Sequence, residues 1–135
     1  MSDFNAKIIE EFRAHNGIVG GPFEGAPMVL VTTVGAKSGQ QRTTPLVYLP
    51  EGDRVVIFAS AAGAPKNPAW YHNLVANPSV IAEVGDQRYE ATASEITGDE
   101  RARLYAEQVS RMPGFADYEV KAGERTIPVI ALDRA

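Results

Sequence analysis

MVLVTTV (28–34), GAKSGQQR (35–42) and TTPLVYL (43–49) run on without a break, and their reading decides the fold. The first and third segments are short, apolar and rich in β-branched residues, which suit a pleated and largely buried strand. The second is a polar turn with glycines at 35 and 39. Pro45 has no N–H for a ladder, so the third segment belongs at a sheet edge or at a bulge. Working outward, Glu51, Gly52 and Asp53 make a tight turn into RVVIFAS (54–60). SVIAEV (79–84) and QRYEATASEI (87–96) form a hairpin through Gly85 and Asp86, and TIPVIALD (126–133) is a last strand. Helical spacing of Phe4, Ile8, Ile9 and Phe12 predicts an amphipathic helix over residues 3–15. Residues 17–27 are rich in glycine and proline and read as a loop. Two more helices are expected at residues 68–76 and 99–112, the second with a Thr97–Glu100 capping box and Ala102, Tyr105, Val109 and Met112 on its inner face. The sum is an α+β protein, about six mostly antiparallel strands closing as a barrel with a few flanking helices.

The 135 residues allow one domain, 1–135, in which residues 1–26 supply the N-terminal helix and loop. Net charge is −4, an acidic balance that speaks against general binding to nucleic acid or anionic membrane. The charge is unevenly placed. Residues 25–82 carry Lys37, Arg42, Arg54 and Lys66 against Glu51 and Asp53, a net +2, while the rest nets −6. No acid occurs between residues 25 and 50. An anionic ligand would be drawn to this middle segment.

Cysteine is absent, which removes thiol nucleophiles, disulfides and thiolate metal sites. His15 and His72 lie far apart with no metal-binding spacing, and no G-x-S-x-G elbow is present. Neither GAKSGQ nor any other glycine cluster has the order of a phosphate loop or a dinucleotide fingerprint. No apolar run approaches the roughly 18–20 residues that span a bilayer, and the N-terminus has no signal-peptide pattern. A cytoplasmic protein with no integral membrane segment is expected, with peripheral contact only weakly supported.

Two segments retain chemical interest. In the turn, Lys37 and Arg42 flank Ser38 and Gly39, and backbone N–H groups can converge there on an anion. An ordinary solvated turn has the same composition. The second segment is SAAGAPKNPAWYHNL (60–74), where Lys66 is the lone charge between Arg54 and Glu83. Asn67 is a natural N-cap there, with Pro68 at the first helical position. Core packing is the default reading of Trp70 and Tyr71, and the same helix can pack inward and bind at its end.

Together, TTVGAKSGQQRTTPLVYL, FASAAGAPKNPAWYHNLVANPSV and ERTIPVIALD resemble the deazaflavin (F420)-dependent nitroreductase family, relatives of the FMN-binding split β-barrel proteins. The resemblance implies a split barrel that binds F420, with FMN as the alternative cofactor. It places Lys37, Ser38, Gly39 and Arg42 at the cofactor phosphate. Pro45, Leu46, Val47, Ala59 and Ser60 would run along the ring. Gly63, Lys66, Asn67, Trp70 and Asn73 would form the other wall. The implied reaction is hydride transfer from reduced F420 to a small electron-poor acceptor, a quinone, an enone or unsaturated lactone, or a nitro compound. A non-catalytic F420 carrier is the other alternative. Ser60 and Tyr118 are the candidate catalytic donors. Met112 and Phe115 stand where this family can carry tyrosines, and Val47 and Ala61 where it can carry bulkier or basic residues. That pattern favours a quinone or activated alkene over a nitroaromatic. A monomer or a homodimer is expected, with no metal.

Overall fold

A computed structural model describes residues 3–135. Seven strands form one antiparallel sheet: β1 (Met28–Val34), β2 (Gln41–Val47), β3 (Leu49–Glu51), β4 (Arg54–Phe58), β5 (Ser79–Val84), β6 (Gln87–Ile96) and β7 (Val129–Arg134). Their spatial order is β2-β1-β5-β6-β7-β4-β3, so β2 and β3 are opposite edges. Only Tyr48 separates those two edges along the chain. One residue spans at most about 7–8 Å between its neighbours' Cα atoms. The sheet therefore curls until its edges share a corner, and from that corner β2 and β3 diverge without pairing. That is a split barrel.

The burial pattern explains the long apolar strands. Val29 and Val31 of β1 face the barrel interior with Val55, Ile57, Ile130 and Leu132. Met28 and Leu30 face outward, under Ile8, Ile9 and Phe12 of α1 (Asp3–Ala14). On the far side, Val56, Phe58, Val129 and Ala131 point outward beneath two further helices, α3 (Gly98–Arg111) and α4 (Gly114–Ala122). Strands covered on both faces need continuous apolar runs. By contrast β6 alternates, with Ala91 and Ala93 inside and polar residues in water. α1 is fastened by a paired Arg13–Glu83 contact at 3.1 and 2.9 Å, and by the Glu11 carboxylate accepting from Gly20 N–H.

Several expectations are corrected. The strand expected at 43–49 is split by the bend at Tyr48, and the strand count rises from about six to seven. Pro45 does lie on an edge strand. The Met112–Tyr118 stretch, read as a loop, enters α4 at Gly114, because Phe115 and Ala122 repeat at helical spacing and are buried. Thr97 is the N-cap of α3 but makes no side-chain capping bond, and Glu100 reaches Arg54 instead. Leu104, Tyr105 and Gln108 form the buried face of that helix, while Ala102 is exposed.

Candidate active site

β1 delivers the chain to the 35–42 turn, and β2 carries it away. Gly39 adopts φ +70°, and its N–H donates to the Gly35 carbonyl at 3.0 Å. A Cβ on Gly35 would lie 2.4 Å from Ser38 Oγ, so only glycine leaves room for that hydroxyl inside the turn. Ser38 Oγ in turn accepts from Gln40 N–H. The N–H groups of Lys37 and Ser38 have no partner among the described residues.

Opposite the turn stands α2 (Ala69–Ala76), which buries Trp70 and Leu74 in the barrel core. Asn73 on this helix reaches across. Its Oδ1 accepts from Ala36 N–H at 3.0 Å, and its Nδ2 donates to Thr33 Oγ1 at 3.3 Å. One side chain thus fixes the spacing between the turn and the helix. Between them lies a cleft of about 860 Å³. Lys37, Ser38, Arg42, Trp70 and Asn73, all expected at the site, line it. So do Thr43, Thr44, His72 and Asn5, which the sequence reading had not singled out. Asn5 comes from α1, so that helix supplies part of the rim.

The electrostatics are one-sided. Among the described residues no carboxylate lines the cleft, and Lys37 and Arg42 make no ion pair or hydrogen bond. Elsewhere Arg13, Arg54, Arg103 and Arg111 are each paired with a carboxylate. An unpaired, acid-free pair of cations beside free N–H groups is suited to an anion.

The second expected wall has a different construction. Ala59 is fully buried, and Gly63 (φ +81°) is buried against α4, where a Cβ would sit 2.8 Å from Lys121 Cβ. Asn67 does not cap α2. Pro68 occupies the N-cap in extended conformation, and Asn67 Oδ1 accepts from Arg125 instead. Lys66 is exposed and outside the cleft lining. Ser60 is half-buried, and its carbonyl accepts from Arg125 at 2.7 Å. Pro45, Leu46 and Val47 are half-buried along β2, beyond Thr44; with Gly39 of the turn they also fall outside the cleft lining. Phe115 is buried edge-on against Phe58 and Tyr105, and Tyr105 donates to its carbonyl at 2.7 Å. Burial pushes the Tyr105 phenol up to about 12. The half-buried Tyr118 ring lies 5.0 Å from Phe115, and its hydroxyl makes no hydrogen bond among the described residues.

This curled sheet is shared with solved structures of low sequence identity. An FAD-binding protein from Mesorhizobium loti superposes with a TM-score of 0.56 at 16% identity, covering 80% of this chain and 78% of that one. That likeness defines the fold class alone. Residues 6–134 match the F420H(2)-dependent quinone reductase family, and the chain belongs to it. An F420H(2)-dependent quinone reductase of Mycobacterium tuberculosis is 39% identical over 127 residues, 91% of this chain and 85% of that protein. A solved F420-H2 dependent reductase, FDR-A, superposes with a TM-score of 0.72 at 41% identity, covering 79% of this chain and 94% of that one.

Proposed function

We propose that this protein reduces a quinone with reduced F420, and that the 35–42 turn holds the anionic tail of the cofactor. The observation that carries the reading is the cleft in which, among the described residues, Lys37 and Arg42 are unpaired and no acid is present. The donor set fits the group: two cations, the Ser38 hydroxyl and two free N–H groups face a ligand rich in phosphate and carboxylate oxygens. When bound, F420H2 supplies a hydride, which a quinone takes up with a proton to become the hydroquinone.

The chain's own residues bind, orient and exclude water. Arg42 offers a two-pronged contact and Lys37 a point charge. Asn73 holds the turn at fixed distance from α2, so the tail and ring are positioned together. Pro45, Leu46 and Val47 are half-buried on the edge strand β2, and in this reading the ring would lie along its open side. Ser60 and Tyr118 are the hydroxyl donors to the acceptor oxygen in this reading, and the apolar Met112 and Phe115 favour a quinone over a nitroaromatic. None of the helices is long and apolar enough to cross a membrane among the described residues, and a cytoplasmic setting fits the reading.

The test is turnover. Mixing the protein with F420H2 and menadione should regenerate oxidised F420 at a rate proportional to protein concentration. A rate equal to the protein-free control would reject the reading.

A further inference from the structure

Arg125 precedes β7 and is half-buried, yet it has no carboxylate partner among the described residues. Its guanidinium is spent on one loop. Nη1 donates to the Ala59 carbonyl at 2.9 Å and to Asn67 Oδ1 at 2.5 Å. Nη2 donates to the Ser60 carbonyl at 2.7 Å, and Nε to the Ala64 carbonyl at 2.9 Å. Between these anchor points Ala61, Ala62 and Gly63 all hold positive φ, at +47°, +54° and +81°. Two consecutive alanines in that region are costly and persist only where surroundings enforce them.

The consequence lies on the other side of the peptide planes. No peptide bond here is cis, so each C=O and the N–H that follows it point in opposite directions. With the Ala59 and Ser60 carbonyls turned to Arg125, the N–H groups of Ser60 and Ala61 are turned away from it. Neither N–H has a partner among the described residues. Ser60 is right-handed (φ −73°, ψ −36°) and Ala61 left-handed, the alternation that gathers successive N–H groups into a concavity for a negative oxygen.

We propose that Arg125 is a positioning residue that holds the Ser60 and Ala61 N–H groups as a two-donor site for a carbonyl oxygen of the reacting pair, on the F420 ring or on the quinone. This rests on the functional reading above. The donors are main-chain groups, so the site needs no particular side chain at residue 61. Pre-aimed donors of this kind favour the state in which negative charge builds on the oxygen.

The test is Arg125→Lys, which keeps a positive charge but loses the planar fork. The folded variant should show kcat/KM toward menadione lowered about 10–100-fold, more than a merely local loss of packing would cause. If the oxygen belongs to the quinone, the F420 dissociation constant stays within about threefold of wild type. If it belongs to the cofactor, F420 binding weakens and the absorption band of bound F420 shifts. Unchanged kcat/KM, affinity and absorption band would overturn the proposal. Should Arg125→Lys not fold, Ala61→Pro reads the same site, since proline deletes one N–H and refuses a φ of +47°; unchanged kcat/KM there would overturn it equally. Failure of the wild-type protein to bind F420 would instead remove the functional reading beneath it.

Discussion

The turn at 35–42 and the loop at 59–67 both border the helix α2, yet they are built on opposite plans. The turn leaves its cations and two N–H groups free, and a single asparagine clamps it from outside. The loop has three of its carbonyls and Asn67 held by one arginine, and keeps unpartnered N–H groups on the other side among the described residues. Under the proposed function a flexible anion would meet unpaired side chains, whereas a rigid ring needs fixed groups. The contrast separates affinity, assigned to the turn, from alignment, assigned to the loop.

The largest expected effect strikes the turn. Lys37→Ala with Arg42→Ala should weaken F420 binding by about 3–6 kcal/mol, from two hydrogen bonds to charged groups, with the urea midpoint of unfolding unchanged. A loss below tenfold would dissolve the contrast. Next comes Gly63→Ala, which places a Cβ 2.8 Å from Lys121 Cβ at φ +81°. It should cost about 2–4 kcal/mol in urea unfolding. A smaller third effect is expected from Asn73→Ala, which removes two hydrogen bonds between α2 and the turn. About 1–2 kcal/mol of stability should go, and F420 affinity should fall with it although both cations remain.

The smallest effect lies away from both regions. The Arg103 hydrogen bond holds the Glu51 carboxyl below its ordinary value of 4.5. A lowered folded value gives stability that is present above that ordinary value and lost as pH falls through the lowered one. The pair is exposed, so Glu51→Gln should flatten the acid limb of the stability profile by no more than about 1 kcal/mol.

Legibility differed between the two regions for a physical reason. Lys37, Ser38 and Arg42 announce themselves because free charge and glycine in an acid-free stretch are visible in one dimension. β1 and the β5–β6 hairpin are legible too, since β-branched runs and a Gly-Asp turn are local signals. Arg125 is not. An arginine bound to carbonyls looks in sequence like any surface base, and its partners lie 58–66 positions away. Pro113 and Gly114 read locally as helix breakers, and only tertiary burial of Phe115 and Ala122 shows that α4 begins there. Asn67 carries a local cap signal for the same reason, and the Arg125 contact takes it instead.

Titration of oxidised F420 into the protein, followed by cofactor fluorescence at low and at high salt, tests the central claim most directly. Saturable binding at micromolar concentration that weakens as salt screens Lys37 and Arg42 is the expected result. Absence of saturation at low salt, or binding indifferent to salt, would contradict it.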